Sequence, residues 1–600
     1  MKQRVADYVA DFLLSHGICH CFTVTGGGAM YLNDALGHKE GLDCVYQHHE
    51  QACAIAAEGY TRLTGRLAAV CVTSGPGGTN ALTGVLGGWL DSIPMLILSG
   101  QVKRAHLAKN CPVSGLRQLG DQEFDIVGSA LGMTKYAVTV LDPKDIAYHL
   151  EKAYRLATFG RGGPVWLDLP LDVQGATVET DALRHYTPEA ELLPQAPPFH
   201  RETARDILQK IKAAKAPLLL VGTGVRLGGA VSQLRALINK LQIPVVTAWN
   251  AGDTVAFENP HFAGMPGTVG TRAGNFAVQN CDLLLSLGCR LNIRTVGHNR
   301  GEFAKNAYRI IVDIDEKELK KPTIMPDLPI CADVREVIDR LLQEDYVPSA
   351  AHAAWVNFCR ALVTRYPAAP VSDRESADAP LNPYTFLDCL FDHLLPTDHI
   401  ICGNGSACVM TFQAAKVKEG QRMFTNSGCA AMGYGLPAAI GAAFGDPRCR
   451  TVCIDGDGSI MMNLQELATV AYHRLNIKIV LLNNGGYHSI RQTQRNLFSA
   501  PFVGINAESG LGFPDFEIVA RAFGIGYARV RSACDLQKQL DTVLKAEGPV
   551  LFEVIVDPTK DFAPKSSTKK LPDGRLVSPA LEDMAPFLSG EELDAARYLK

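Results

Sequence analysis

Apolar residues along this chain fall mostly in short β-rich runs, each followed by a turn and then by a segment of helical periodicity. In the first region the candidate strands are 17–24, 42–46, 67–73, 94–99 and 163–168, with helices at 3–15, 49–63 and 78–90. Such alternation predicts a parallel sheet covered by helices. The rhythm recurs in APLLLVGTG, IPVVTAWNAGD, CDLLLSLGCR and RIIVDIDEKEL, and ADVREVIDRLLQE closes it with a helical pattern. A third round is clearest at RTVCI (450–454), IKIVLLN (477–483) and PVLFEVIVD (549–557). Pro-containing stretches at 192–198 and 367–380 read as linkers. The expected fold class is therefore α/β, with three consecutive parallel-sheet domains at 1–185, 200–345 and 380–565. Residues 566–600 lack regular periodicity and are expected to form a surface wrap, a lid or an oligomer contact.

Composition narrows the class. A chain of 600 residues has room for three or four domains, each with its own core. A formal charge of -4 gives no long-range attraction for nucleic acid or an acidic membrane surface. The 17 cysteines are scattered, with no CxxC pair and no zinc-finger spacing. A reducing, cytoplasmic setting is the simpler expectation. No uninterrupted apolar run is long enough to suggest a membrane span, and the first residues, MKQRVADYVADFLLSHG, read as an amphipathic helix.

The most informative stretch is DGDGSIMMNLQELATVAYHRLNIKIVLLNNGGYHSI, starting at Asp455. It reads strand, Gly-rich turn, helix, strand, Asn-rich turn. In a right-handed βαβ unit both turns lie at the carboxyl edge of one sheet, so Asp457 and Asn484 converge. Asp457 offers an anionic oxygen, Asn484 a neutral one, and Gly486 an uncrowded backbone carbonyl. Two phosphate oxygens and a water would complete an octahedral Mg2+ site. Gly456 and Gly458 permit close approach of backbone to phosphate, and the helix N-terminus that carries Ser459 adds N–H donors.

This GDG…NN pattern resembles the thiamine-diphosphate enzymes, and the resemblance extends over all three regions. They look like the pyrimidine-binding, central Rossmann-like and diphosphate-binding domains of the acetolactate-synthase-like branch. The resemblance makes Asp457, Asn484 and Gly486 the metal ligands. In QHHEQACAIAAEGYTRLTG it makes Glu50 the carboxyl group that activates the aminopyrimidine ring. Gln122, in LRQLGDQEFDIVG, resembles an active-site glutamine of the branch. In FTNSGCAAMGYGLPAAIGAA, Met432 resembles the residue that props the cofactor into its bent form, and the Ala430 carbonyl the acceptor for its 4'-amino group. Gly405 and Ser406, in GNGSACVM, fall in a cofactor-facing segment, and SGPGGTN at 74–80 in the shared interface. The family draws Glu50 and the metal motif from different subunits, which implies a homodimer or a dimer-of-dimers tetramer.

The chemistry implied is carboligation: a 2-keto acid, with pyruvate the expected donor, is decarboxylated and its acyl-anion equivalent attacks a second carbonyl. Thr493 stands where acetolactate synthases of the branch typically carry a tryptophan that selects the acceptor. With TAWNAGD and the PKSSTKKLPDGRLVSPALEDMAPFL tail, the segment resembles the branch that builds two-carbon branches onto keto sugars, which implies an unusual ketone, 1,2-diketone or keto-sugar acceptor. A conventional acetolactate synthase, a diketone hydrolase, a decarboxylase and a lyase are the alternatives. Tyr487, His488 and Arg491 are candidate substrate contacts. MPGTVGTRAGN and GCRLNIRTVG resemble the flavin-contacting segments of acetolactate synthases. FAD is therefore expected in the central domain, near Arg272, Arg290, Arg294, Asp313 and Asp333, although Asn292 and Ile293 replace the usual acidic pair.

Overall fold

The computed structural model describes residues 1–188, 196–369, 380–498, 501–571 and 573–598. Most of the two expected linkers, 192–195 and 370–379, lies outside the described residues.

Three wholly parallel sheets follow one another along the chain, as the apolar runs suggested. The first orders its strands Asp43–Tyr46, His20–Thr23, Ala69–Val72, Met95–Gln101, Pro164–Pro170 and Tyr136–Thr139. The third orders Arg422–Phe424, His399–Cys402, Thr451–Gly456, Ile477–Asn483, Val550–Ile555 and Gly526–Val530. Counted within each domain, both orders are 2-1-3-4-6-5, so the first and last domains are topological repeats. The central sheet runs Val245–Thr247, Pro217–Val221, Leu283–Leu287, Tyr308–Asp313 and Leu328–Cys331, a doubly wound 2-1-3-4-5 order. In each sheet the winding direction reverses beside the first strand, and ligands settle at the carboxyl ends of the strands there.

The central strands of these sheets are buried on both faces; Ala69–Val72, Met95–Gln101 and Leu283–Leu287 are buried throughout. The outer domains meet through two small-residue helices, Glu50–Thr64 and Gly435–Gly445. Their backbones approach closely enough that a Cβ on Gly441 would lie 1.9 Å from the Ala56 carbonyl oxygen, and one on Gly59 2.3 Å from that of Ala438. Glycine and alanine here allow contact that any larger residue would prevent. A buried ion network crosses the same junction. Arg62 pairs with Glu58 and Asp91, each at 2.6 Å, and Asn426 donates to both Glu58 oxygens.

The tail wraps over the central domain. Leu581 joins the core beneath Leu218 and Leu284, and Tyr598 packs on Trp355 with ring centroids 4.8 Å apart. Asn280 holds the Ala596 carbonyl, and Gln279 donates to Glu582. No helix among the described residues is long and apolar enough to cross a membrane.

Candidate functional site

The turn after the Thr451–Gly456 strand and the turn after its neighbour, Ile477–Asn483, lie side by side at the carboxyl edge of the third sheet. Asp457 opens a short helix there and is 1% exposed. Its carboxylate accepts from the Gly486 N–H at 2.8 Å and from the Gly458 N–H at 3.0 Å. Burial pushes the Asp457 carboxyl up to about 7, against the pull of these backbone donors. The Asn484 side-chain oxygen is buried and finds no hydrogen-bond partner among the described residues. A buried carboxylate with no salt bridge among the described residues and only Arg491 as a nearby positive charge, beside an orphaned amide oxygen, is a donor set that suits a hard divalent cation. Gly486 has φ +146, and a Cβ on it would sit 2.0 Å from the Ile505 carbonyl oxygen, so no other residue fits this turn. At Gly458 the Tyr487 ring lies 2.2 Å from the ideal Cβ position, so a larger residue there would have to displace that ring.

Arg491 lies behind the Asn-rich turn. Its guanidinium donates to the carbonyls of Asn484 at 3.2 Å and Gly485 at 3.1 Å, bracing the turn that carries two of the expected metal ligands. His488 is 3% exposed and lies 3.6 Å from Asp561. Tyr487 packs between Gly458 and Phe513.

Around this anchor the other expected cofactor residues assemble. Asn404 precedes the helix of Gly405 and Ser406, and its side chain donates to the Ala430 carbonyl at 2.8 Å. A carbonyl oxygen has two lone pairs, so one remains for an amino group. Met432 is half-buried and belongs to none of the apolar core clusters. The Ser459 hydroxyl accepts from the Gly433 N–H at 3.1 Å, which ties the Met432 segment to the helix of Asp457. Gly456 has open space at its Cβ position, with no neighbour nearer than 4.0 Å.

Glu50 is the first residue of its helix, and the residue before it, His49, is the N-cap, its ring accepting from the Gln51 N–H at 3.1 Å. The Glu50 carboxylate is half-buried and takes a 2.9 Å hydrogen bond from Asn80, within the SGPGGTN segment. Glu50 makes no hydrogen bond or ion pair to the Asp457–Gly486 turns among the described residues. Gln122 sits on an exposed loop with φ +59, a left-handed conformation uncommon for glutamine, and its carbonyl crowds Gly75.

Two residues that the motifs did not single out organise the site. Asn426 accepts from the Cys429 and Ala430 N–H groups and donates to Glu58. Glu58 is fully buried, and burial raises its carboxyl above the usual range. The available signal was a lone glutamate eight positions after Glu50 in an alanine-rich helix.

The residues expected at a flavin are dispersed. Arg272 donates to the tail carbonyls of Met584 and Pro586. Arg290 reaches the Leu90 carbonyl and Asp91. Asp333 caps the Val334–Gln343 helix. Arg294 is exposed and lies 5.5 Å over the Trp249 ring. Asp313 accepts from the Asp315 N–H, and burial pushes its carboxyl up to about 6. Among the described residues the Arg294 side chain makes no hydrogen bond or ion pair, whereas the other four are engaged by the chain itself.

Comparison with known proteins agrees with this geometry domain by domain. Residues 3–128 match the thiamine pyrophosphate enzyme N-terminal TPP binding domain, 204–341 the central domain and 403–554 the C-terminal TPP binding domain. The acetolactate synthase large subunit of Cyanidium caldarium is 32% identical over 565 residues, spanning 92% of this chain and 93% of its own length. The acetolactate synthase isozyme 1 large subunit of Escherichia coli is 33% identical over 563 residues, spanning 93% and 95%. The isozyme 2 large subunit of the same organism is 32% identical over 581 residues, spanning 97% and 100%. The chain belongs to the acetolactate-synthase-like family of thiamine-pyrophosphate-dependent carboligases.

Proposed function

We propose that this enzyme decarboxylates pyruvate and joins the remaining two-carbon unit to a second pyruvate, giving acetolactate. The observation that carries the reading is similarity to acetolactate synthases across all three domains, with the buried Asp457–Asn484 oxygen pair in place. Bound thiamine diphosphate supplies a carbon nucleophile and an electron sink for the carboxylate carbons. Asp457, Asn484 and the Gly486 carbonyl would hold Mg2+. The Ser459 N–H and the Gly405–Ser406 helix start would hold the diphosphate, and Gly456 and Gly458 leave room for it beside the backbone. Met432 and the Ala430 carbonyl set the ring geometry, and Glu50 holds and returns a proton at the pyrimidine. Gln122 orients the substrate carboxylate or carbonyl. Two pyruvate anions and one proton give one acetolactate anion and one carbon dioxide.

Glu50 makes no hydrogen bond or ion pair to the metal turns among the described residues, which supports the reading that a second copy supplies the opposite half of each site. The apolar side chains Val113, Leu116, Leu119 and Phe124 beside Gln122 are exposed, as are Ile490, Leu497 and Phe498 beyond the Asn-rich turn. They support a homodimer or a larger assembly of dimers. FAD in the central domain rests on the resemblance of 265–275 and 288–297, with Arg294 the side chain left free of hydrogen bonds for it among the described residues. No step runs through it.

A second reading has a specific support. Thr493 is exposed, and its hydroxyl is turned back onto the Ser489 carbonyl at 3.0 Å, leaving a small side chain where a tryptophan would be bulky. This favours a larger ketone or 1,2-diketone as acceptor. Competition separates the two. With labelled pyruvate alone, acetolactate is expected as the main product. If an added diketone or keto sugar diverts most of the label into a tertiary alcohol at equal concentration, the second reading replaces the first.

A further inference from the structure

The opposite, amino-terminal edge of the third sheet carries a group of side chains that the carboligase chemistry does not use. His399 opens one strand, and its N–H bonds to the Arg450 carbonyl at 3.0 Å, just ahead of the adjacent Thr451–Gly456 strand. The connection into that second strand is the tight turn Asp446-Pro447-Arg448-Cys449, closed by the Cys449 N–H on the Asp446 carbonyl at 3.3 Å. Parallel pairing of the two strands therefore brings an imidazole, a carboxylate and a thiol together at one point. One ligand atom from each lies within 4.8 Å of the others.

Proximity alone would not distinguish this group from a surface cluster. The imidazole does. His399 is 6% exposed, and neither ring nitrogen has a hydrogen-bond partner among the described residues. Its Nε2 lies 3.8 Å from an Asp446 carboxylate oxygen, too long for a hydrogen bond. That spacing is close to the edge of a tetrahedron around zinc, where bonds of about 2.0 Å put nitrogen and oxygen ligands roughly 3.3 Å apart. The exposed Arg448 engages the other Asp446 oxygen at 3.1 Å, the Cys449 thiol hydrogen-bonds the same carboxylate, and the second oxygen lies on the histidine side.

We propose that His399, Asp446 and Cys449 form a site for a thiophilic divalent cation, with Zn2+ the best match. A neutral imidazole, a carboxylate and a thiolate carry two negative charges, which neutralise Zn2+, and the thiol proton is released on binding. Water fills the fourth tetrahedral position. Mg2+ is a poor occupant because it selects oxygen ligands. The site lies at the start of the Thr451–Gly456 strand, which leads to Asp457, and the ion pins the turn that leads into it.

The test uses the full-length enzyme loaded with thiamine diphosphate and Mg2+, stripped of transition metals with a chelator and then titrated with Zn2+ or Co2+. One zinc per chain is expected. Cobalt should give a near-ultraviolet thiolate charge-transfer band and visible bands of tetrahedral intensity, both removed by zinc. Cys449→Ser should abolish the charge-transfer band. Cys449→Ser and His399→Gln should each weaken zinc binding by at least about 10-fold, since even outer-shell partners are worth roughly 10- to 100-fold. Cys534→Ser, at an exposed cysteine elsewhere, should change neither. Cys449 lies in a half-exposed turn, so its variant remains informative if the buried His399 variant fails to fold. Absence of stoichiometric zinc, or zinc retained with unchanged affinity in Cys449→Ser, overturns the site.

Discussion

Replacing Asn484 by alanine should leave the cofactor-free enzyme as stable as before while abolishing most of the stabilisation that thiamine diphosphate and Mg2+ confer. The Asn484 side-chain oxygen is buried without a partner. An unsatisfied buried acceptor costs about 1–3 kcal/mol, and this residue is only half-buried, so the lower end applies. Truncation removes that cost and loses modest packing, for a net change within about 1 kcal/mol of zero. In the loaded enzyme the same truncation deletes one metal ligand. At a ligand concentration 100 times Kd, binding stabilises by about 2.7 kcal/mol, and a 100-fold weaker Kd leaves about 0.4 kcal/mol. The assay is thermal unfolding of wild type and variant, each without ligands and with thiamine diphosphate plus Mg2+, at fixed protein concentration. Midpoints are compared directly, because a three-domain chain need not unfold in two states. A variant whose ligand-free midpoint falls sharply, or whose ligand-induced shift equals that of wild type, refutes the assignment of Asn484 as a metal ligand.

Glu50→Gln should keep the fold, since glutamine still accepts the Asn80 hydrogen bond, yet slow deuterium exchange at thiamine C2 by orders of magnitude; wild-type exchange would remove Glu50 from its role. Metal-dependent cofactor affinity should rise with pH. The Asp457 carboxyl sits at about 7 in the metal-free protein, so below that pH each Mg2+ must displace a proton and affinity drops about tenfold per unit, whereas above it the curve flattens. A flat profile between pH 6 and about 8 would contradict this. Gly441→Ala puts a Cβ 1.9 Å from the Ala56 carbonyl oxygen, forcing the two helices apart by about 1–1.5 Å and destabilising by about 1–3 kcal/mol. Unfolding midpoints and limited proteolysis of the junction would show it, and an unshifted midpoint would mean that the helices part freely.

The strongly apolar central strands were legible from sequence because burial on both faces leaves an uninterrupted signal. Several edge strands were not, although Asp43–Tyr46 and Val245–Thr247 were. Tyr136–Thr139 is half-buried throughout, Gly526–Val530 is largely half-exposed, and Leu328–Cys331 contains a proline, so none carries a clear pattern. The Asp457–Asn484 convergence was readable because a βαβ unit has one handedness and its two turns must share an edge. The roles of Arg491, Asn426 and Glu58 were not readable, because each acts through a contact distant in sequence or through backbone carbonyls. Arg491 shows the difference: from its position it was a candidate for substrate contact, while its guanidinium faces the carbonyls of the metal turn. The tail was equally opaque. Its grip on Arg272, Gln279 and Asn280 depends on single polar contacts that leave no periodicity.

The central claim is metal-dependent carboligation at the Asp457–Asn484 anchor. It is tested most directly by following carbon dioxide and labelled product together when labelled pyruvate is given to the enzyme with thiamine diphosphate and Mg2+, and when each is withheld after chelation. One carbon dioxide and one acetolactate for every two pyruvates, only with both cofactors present, is the predicted result. No turnover of pyruvate by folded enzyme with both cofactors bound, or turnover undiminished without the metal, would contradict it.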